Sequence, residues 1–282
     1  MNQERNNYEY QVSIDGDGAP ARVVRMVGED KRVMEIGAGP GSITKLLTSA
    51  SNCRVTALEI DSEAIKKLGT FCERAYQVDL NHKDWHEIPE CKGEFDVVVA
   101  ADVLEHVYEP LTVLTAMKDF LNKDGYMVIS VPHVGHSAVH ACLLDEDFEY
   151  GDTGLLDRTH IRFFGIKNIQ KLFEDAGMKI VHAEFVVRNP EYTEFSSRWS
   201  KITPEIRSAL AKNPFGSVYQ VVVKAVPDHS VGEPITLMNL TVVSRSPSIR
   251  DSIGAMLRTH LNAKIYSRLR LIAAKMGVSF KV

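Results

Sequence analysis

The chain has 282 residues, of which 44% are hydrophobic and 25% charged, and its 33 basic and 37 acidic residues give a net charge of −4. These proportions are typical of a soluble globular protein, and no uncharged apolar run approaches the roughly 18 residues of a membrane-spanning helix. The first ten residues are polar, unlike a signal peptide, and the four cysteines lack zinc-finger spacing. We therefore expect a cytoplasmic protein with reduced thiols.

From residue 32 onward, short apolar strands alternate with helical patterns, which is typical of parallel βαβ units. The pattern predicts helices over 42–48, over Ser62–Leu68 behind an Asp61 cap, over 109–122 and over 167–176. The predicted strands are Arg32–Ile36, Arg54–Glu59, 75–78, Phe95–Ala101, 126–131, 179–187 and 217–226. We expect the last two strands to pair antiparallel. The prediction is an α/β fold: a Rossmann-like, seven-stranded, mostly parallel sheet with helices on both faces, plus a C-terminal extension.

Two longer stretches, residues 132–160 and 188–216, interrupt this alternation, and a short helix is predicted from Pro204. Long insertions in an economical α/β domain are more often lids or binding loops than linkers. The first insertion also begins at the carboxyl end of a strand, where ligands bind in open sheets. We therefore assign residues 1–228 to one domain with two acceptor-binding insertions, and residues 229–282 to a basic C-terminal extension.

The C-terminal extension has a net charge of +6, which leaves −10 for residues 1–228. The acidic body argues against nucleic-acid binding, because phosphate neutralisation needs a basic surface. Within the extension, Ile235–Val243 predicts an extra strand or extended arm, and Asp251 opens an amphipathic helix. Three interpretations remain open: the helix packs on the domain or across a homodimer, docks a partner such as a glycosyltransferase, or lies on a membrane surface.

A glycine-rich turn follows the first strand, in the segment Glu35-Ile-Gly37-Ala-Gly39-Pro-Gly41. Glycines at the end of a strand let the backbone approach a ligand closely. The third glycine comes one residue too early for the GxGxxG of dinucleotide enzymes, and the preceding carboxylate suits a ligand with a cationic end. Glu59 and Asp79 end the next two strands, where they can accept hydrogen bonds from a ribose and an adenine, or cap the following helix or turn.

The series EIGAGPG, ALEID, QVDL and FDVVVAADVLEH resembles the class I S-adenosylmethionine-dependent methyltransferases over roughly residues 20–226. The resemblance implies S-adenosylmethionine as the cofactor, with its methionine part at Glu35 and the glycines and its ribose at Glu59. The adenine would lie at Asp79 and the sulfonium above Ala101 and Asp102. The implied cofactor-binding residues are Glu35, Gly37, Ala38, Gly39, Gly41, Glu59, Ile60, Asp79, Leu80, Ala101 and Asp102.

A hydroxyl acceptor must lose its proton during methyl transfer, and histidine is the usual base near neutral pH. His160 lies in the block GLLDRTHIRFF, which resembles methyltransferases of bacterial surface-glycan and secondary-metabolite pathways. In related enzymes a histidine near this place lies close to the acceptor. His133 and His136 follow a strand end and are the second candidates for the base. The alternative is that His160 only caps a helix or strand.

Three charged residues near His160 are candidates for substrate binding: Asp157, Arg158 and Arg162. The planar guanidinium groups suit a carboxylate or a phosphate, such as that of a nucleotide sugar. The alternative for Asp157 and Arg158 is a structural ion pair, with Phe163 and Phe164 in the core.

The run Asp102-Val-Leu-Glu105-His106 resembles the E-x-x-E-H block of ubiquinone-pathway O-methyltransferases, for which a metal has been proposed. If the run is helical, Asp102, Glu105 and His106 share a face and could ligate Mg²⁺ or Zn²⁺. Metal-free relatives carry a similar structural turn, and we expect no metal.

These observations predict an O-methyltransferase whose acceptor is a sugar hydroxyl, in a glycan or a nucleotide-linked sugar. The first alternative is a methyltransferase of a non-sugar metabolite, such as a phenol, quinone precursor or polyketide. The second is a non-catalytic cofactor-binding module that scaffolds a partner enzyme. The expected location is the cytoplasm, at the membrane surface if the C-terminal helix is an anchor.

Overall fold

The computed structural model describes residues 12–243 and confirms the predicted α/β fold. Its seven strands match the predicted ones to within a few residues at each end, except that the fifth begins at Leu121 and not at residue 126. They are β1 (Arg32–Ile36), β2 (Arg54–Glu59), β3 (Arg74–Gln77), β4 (Phe95–Ala101), β5 (Leu121–Pro132), β6 (Met178–Val187) and β7 (Val218–Pro227).

The strands form one sheet in the order β3-β2-β1-β4-β5-β7-β6. The first five strands in this order pair in parallel, whereas β7 pairs antiparallel with β5. The carboxyl ends of β1, β2 and β4 therefore lie at the same edge of the sheet, and the crevice outside that edge is where open α/β sheets bind ligands.

Eight α-helices, together with short 3₁₀ helices, accompany the strands in the described chain. In the order of the chain they are α1 (Ala19–Val27), α2 (Ser42–Ser49), α3 (Ser62–Leu68), α4 (Pro110–Ala116), α5 (Ser137–Leu144), α6 (Ile166–Asp175), α7 (Ser196–Lys201) and α8 (Pro204–Leu210). Asp61 caps α3 as predicted, because its side chain accepts hydrogen bonds from the backbone N–H groups of Glu63 and Ala64. None of the described helices is long and apolar enough to cross a bilayer.

The predicted helix over 109–122 is too long. Helix α4 ends at Ala116, a 3₁₀ helix covers Met117–Phe120, and β5 begins at Leu121. The helix was predicted to extend too far because Leu121 continues the helical spacing of apolar residues. In the structure Leu121 is buried and pairs with Phe95 of β4. The pairing of β5 with β4 then shifts register before Tyr126 meets Val97.

The described chain divides into two compact units. The first contains residues 12–132, Thr159–Val186 and Gln220–Leu240, and its core is formed by apolar side chains of α1, α2 and the central strands. The second contains His133–Arg158, Val187–Tyr219 and residues 241–243. It includes α5, α7 and α8, and its apolar cluster consists of Ala138, Val139, Cys142, Leu155, Leu156, Phe195 and Tyr219.

The beginning of the C-terminal extension packs on the first unit. The segment Ile235–Val243, predicted as an extra strand or an extended arm, forms no strand and contains a 3₁₀ helix at Leu237–Asn239. The side chain of Leu237 is fully buried, and its N–H donates to Oε1 of Gln170 in α6 at 3.0 Å. The amphipathic helix predicted after Asp251 lies outside the described residues.

We expect Leu237→Ala to lower the free energy of unfolding by about 2–5 kcal/mol, because truncating a buried leucine removes apolar burial and leaves a cavity. Its neighbour Met238 is 40% exposed, so Met238→Ala is the matched control and should change the value by less than about 1 kcal/mol. Urea unfolding of the full chain measures both. Equal losses in the two variants would show that residues 229–243 do not stabilise the first unit through Leu237.

Candidate active site

The glycine-rich turn after β1 has a backbone that most residues could not adopt. Gly37, Gly39 and Gly41 all have positive φ angles, of 65°, 54° and 88°. A Cβ on Gly37 would lie 2.7 Å from Cγ2 of Val103, and one on Gly41 would overlap the ring of Phe71. At Gly39, by contrast, a Cβ would meet no atom within 4 Å. The turn is therefore tightly packed at its two ends and open at its centre, where a ligand can approach the backbone.

Glu59, at the end of β2, connects this turn to the next one. Its Oε2 accepts the N–H of Gly39 at 2.7 Å, and its Oε1 accepts those of Ile60 and Asp61 at 2.8 and 2.9 Å. A carboxylate has about four acceptor positions, and three are used here. In this arrangement Glu59 can accept one further hydrogen bond, so accepting both hydroxyls of a ribose would require one backbone bond to break.

Glu35, the acid before the first glycine, is 3% exposed and accepts a hydrogen bond at 2.6 Å from Oγ1 of Thr44 in α2. Burial raises the pKa of Glu35 from 4.5 to about 8, and nearby Glu59 adds to the rise, whereas the Thr44 hydrogen bond opposes it. The Glu35 carboxyl is therefore mostly protonated at neutral pH. A cationic group bound beside it would favour the ionised form.

Three further residues expected to bind the cofactor lie beyond β2 and β3. Asp79 is exposed, and its Oδ1 accepts the N–H of Asn81 at 2.9 Å, so this side chain shapes the turn as the alternative interpretation proposed. Leu80 is half-buried, and Ile60 is 58% exposed. An apolar side chain this exposed at the carboxyl edge of the sheet offers a surface that a planar adenine would cover.

Asp102 follows Ala101 at the end of β4 and has a φ of 54°. Its Oδ1 accepts from Oγ of Ser130 at 2.8 Å and its Oδ2 from Nε2 of Gln220 at 2.7 Å, while burial raises its pKa. The predicted shared helical face of Asp102, Glu105 and His106 does not form, because only Leu104–His106 is helical and that helix is a 3₁₀ helix. Asp102 points instead towards β5 and β7.

Glu105 contacts a different partner, His160, which the sequence placed separately. Oε1 of Glu105, whose side chain is fully buried, lies 3.8 Å from Nε2 of His160 and 3.9 Å from Nε2 of His106. The two imidazole rings meet edge to face with centroids 4.8 Å apart. His160 is 9% exposed. The structure thus brings together a carboxylate and two imidazoles. Glu105 and His106 lie four and five residues beyond the end of β4, the strand next to β1, and His160 reaches them from a distant segment.

Backbone hydrogen bonds hold the His160 segment against the 3₁₀ helix. The carbonyl of Glu105 accepts the N–H groups of Ile161 and Arg162 at 2.9 and 3.1 Å. Nε of Arg162 donates to the carbonyl of Tyr108 at 3.1 Å. Sequence reasoning missed this connection because 54 residues separate Glu105 from His160 and no periodic pattern links them.

The other two candidates for the base, His133 and His136, lie in the second unit. His136 caps α5: its Nδ1 accepts the N–H of Ala138, and its Nε2 donates to the carbonyl of Arg188 at 2.7 Å. Both ring nitrogens are used and burial lowers the pKa of His136 to about 4, which argues against His136 as the base. His133 donates from Nδ1 to the carbonyl of Val218, so its Nε2 carries the lone pair, and burial lowers its pKa as well.

The three candidates for substrate binding do not fall in one unit. In the second unit, Arg158 pairs with Asp152 at 2.5 Å, so the expected ion pair of Arg158 with Asp157 is replaced by one with Asp152. Asp157 itself is 2% exposed. In the first unit, Arg162 bonds to Tyr108, and Phe163 is exposed, whereas Phe164 is buried as expected of core. His140 lies in α5.

The strand order, the glycine turn after β1 and the acid at the end of β2 define a class I S-adenosylmethionine-dependent methyltransferase. The chain belongs to the methyltransferase domain family, whose model matches residues 16–183. It is therefore an enzyme that uses S-adenosylmethionine as the methyl donor.

Similar curated proteins include two ubiquinone biosynthesis O-methyltransferases. That of Dinoroseobacter shibae is 27% identical over 176 residues, covering 60% of this chain and 66% of that protein. That of Aromatoleum aromaticum is 23% identical over 163 residues, covering 57% and 69%. A probable S-adenosylmethionine-dependent methyltransferase of Mycolicibacterium smegmatis is 24% identical over 193 residues, covering 68% of each chain.

Solved structures confirm the fold. The [4+2]-cyclase SpnF superposes with a TM-score of 0.52 at 14% identity, covering 81% of this chain and 86% of that one. The putative methyltransferase of Haloferax volcanii in complex with its Trm112 activator gives 0.51 at 14% identity, covering 76% and 90%. At such identities the likeness concerns the fold alone.

Because the folded-state pKa of Glu35 lies above its value in the unfolded chain, the folded state binds a proton that the unfolded state does not between pH 4.5 and about 8. Stability contributed by Glu35 is therefore present below pH 4.5 and is lost as the pH rises to 8. We expect the melting temperature of Glu35→Gln, which cannot ionise, to exceed that of the natural protein by an amount that grows as the pH increases from 5 to 8. Melting curves across this range, without ligand, test the expectation.

The same variant should bind S-adenosylhomocysteine more weakly, because the amide cannot pair with the ligand ammonium. In the natural protein, affinity should rise between pH 6 and 8 by up to about tenfold per pH unit, as Glu35 becomes easier to ionise. Titration calorimetry gives both results. If Glu35→Gln is neither stabilised at pH 8 nor weakened in its binding of S-adenosylhomocysteine, Glu35 is not part of the cofactor site.

Proposed function

We propose that this methyltransferase transfers its methyl group to a hydroxyl of a small non-sugar metabolite. The observation that carries the proposal is the cluster of Glu105, His106 and His160. It follows β4 at the carboxyl edge of the sheet, where Ala101 and Asp102 are expected beside the donor sulfonium. The donor is already activated, so the enzyme has to orient the acceptor oxygen and remove its proton.

An imidazole beside a buried carboxylate suits proton removal from a hydroxyl. In this proposal His160 takes up the proton of the acceptor, and the Glu105 carboxyl, whose Oε1 lies 3.8 Å from Nε2 of His160, is the acidic group beside the charged ring. An amine or thiol acceptor would need this help less, since either is a better nucleophile than a neutral hydroxyl. These considerations support oxygen as the methylated atom.

The similar curated proteins favour a non-sugar acceptor, because two of them are named for O-methylation in ubiquinone biosynthesis. A phenolic hydroxyl in a small molecule fits both that likeness and the histidine cluster. The expectation of a sugar, nucleotide-sugar or glycan acceptor receives no support from the relatives, and neither does a glycosyltransferase partner. Sugars remain in the experimental panel as the competing class.

The acceptor class is tested by incubating the protein with labelled S-adenosylmethionine and matched sets of phenols, nucleotide sugars and amines. We expect methyl transfer to phenols or related hydroxylated metabolites. Turnover with nucleotide sugars alone would restore the sugar acceptor, and turnover with amines alone would overturn O-methylation. Donor hydrolysis in each reaction without acceptor is the blank.

Within this proposal, His160→Ala should lower kcat on a hydroxyl acceptor by about a hundredfold or more, the usual contribution of a general base. The affinity for S-adenosylhomocysteine should change by less than about twofold. His140→Ala, in α5 of the second unit, is the matched control and should keep full turnover. If His133→Ala loses turnover while His160→Ala does not, the base lies in the second unit.

A further inference from the structure

Asp102 lies at the point where the strand order of the sheet reverses. The chain runs outward from β1 to β2 and β3 on one side, and from β4 to β5 on the other. Ligands of open α/β sheets bind at such a switch point, outside the carboxyl ends of the strands. Ile36 of β1 pairs with Ala100 of β4, so the glycine turn and Asp102 leave the sheet next to one another. Because a Cβ on Gly37 would lie 2.7 Å from Cγ2 of Val103, the residue after Asp102, this segment borders the proposed donor site.

Two side chains from neighbouring strands hold the Asp102 carboxylate. Oγ of Ser130 in β5 donates to Oδ1 at 2.8 Å, and Nε2 of Gln220 in β7 donates to Oδ2 at 2.7 Å. The carbonyl of Ser130 also accepts the N–H of Asp102 at 3.1 Å. All three residues belong to the first unit. A carboxylate has about four acceptor positions, so about two are left for a ligand.

An aspartate is unfavourable at this position in two respects. Its φ of 54° lies in the left-handed region, which residues with a Cβ rarely adopt and which glycine would adopt without strain. Burial raises the pKa of Asp102, whereas the hydrogen bond from Ser130, nearby His106 and the hydrogen bond from Gln220 oppose the rise. A strained residue that its surroundings hold in place is typical of a functional site.

The donor carries two positive charges, on the ammonium of its methionine part and on its sulfonium. Two carboxyls that burial removes from water, those of Glu35 and Asp102, lie at the ends of β1 and β4. Glu35 is the expected partner of the ammonium. Of the other acids expected at the cofactor, Glu59 already accepts three backbone N–H groups, and Asp79 is exposed and shapes a turn. The carboxylate left for the sulfonium is that of Asp102.

We infer that Ser130 and Gln220 are positioning residues of the donor site: they hold Asp102 where its charge favours the sulfonium donor over the product. After methyl transfer the sulfur is a neutral thioether, and S-adenosylhomocysteine keeps only the ammonium. An interaction made with the donor and not with the product separates their affinities and so favours exchange of product for fresh donor. The inference goes beyond the proposed function, since it concerns the donor and requires no acceptor.

The test compares the dissociation constants of S-adenosylmethionine and S-adenosylhomocysteine, measured by titration calorimetry on the full chain at one pH without acceptor. Asp102→Asn, whose side chain tolerates the left-handed backbone, should weaken donor binding about tenfold and product binding by less than about threefold. Gln220→Leu and Ser130→Ala should each weaken donor binding about three- to tenfold, the range of one hydrogen bond, and product binding less. Sinefungin, in which a carbon bearing an amine replaces the methylated sulfur, should follow the donor because it carries the charge.

Three comparisons separate positioning from a general structural effect. Lys224→Met removes another half-buried polar side chain of β7, at the far end of its pairing with β5, and should leave both constants unchanged. Glu35→Gln should weaken both ligands alike, since both carry the ammonium. In a chain that already contains Asp102→Asn, Gln220→Leu should not change the ratio of the two constants further, because the Gln220 amide acts through that carboxylate.

Each variant is first shown to be folded by its melting curve, and if either Ser130→Ala or Gln220→Leu does not fold, the other decides the outcome. Equal weakening of donor and product binding in that variant overturns the inference, as does an unchanged donor affinity. So does a ratio of constants that Asp102→Asn leaves as it is in the natural protein. None of these results bears on the acceptor class or on His160, because no acceptor is present.

Discussion

The carboxylate of Glu59 fixes the geometry at the edge of the sheet on which the proposed cofactor site depends. Strands β1 and β2 run parallel and in register, so both end at this edge. The carbonyl of Leu58 accepts the N–H groups of Gly37 and Ala38, and the next side chain, Glu59, accepts that of Gly39. Two consecutive residues of β2 thus hold three consecutive residues of the turn. The turn is ordered by the neighbouring strand before any ligand arrives, which reduces the entropy lost on binding.

Placing Glu35 beside this turn opposes stability. A buried carboxyl without a cationic partner is destabilised in its charged form, and the single hydrogen bond from Thr44 offsets only part of that cost. A carboxyl at this position is understandable if the missing partner is the ammonium of the cofactor. The buried acid then acts as a selective group, because a ligand without a positive charge gains nothing from it. The stability lost through the buried Glu35 carboxyl would then be the cost of recognising the cofactor.

The fold was predictable because its signals are local. Buried parallel strands appear in the sequence as short apolar runs such as Phe95–Ala101. The turn after β1 is recognisable by its glycines, and the packing leaves no room for a side chain at Gly37 and Gly41. The errors have local causes as well. Leu121 satisfies both a helical pattern and a strand pairing, and only the partner Phe95 decides between them. The candidate catalytic cluster was not predictable, since it depends on a long-range contact between two segments, each of which carries only part of it.

Asp102 shows why a short motif did not predict its own geometry. Its left-handed backbone, with a φ of 54°, turns the chain at the end of β4, so Asp102 and Glu105 do not project from one helical face. Asp102 accepts hydrogen bonds from side chains of β5 and β7, whereas the carboxyl group of Glu105 faces the segment that carries His160. One residue, Glu105, binds that segment through its carbonyl and faces its histidine through its carboxylate. The backbone bonds therefore set the distance between Glu105 and His160, and with it the chemistry that this part of the site can perform.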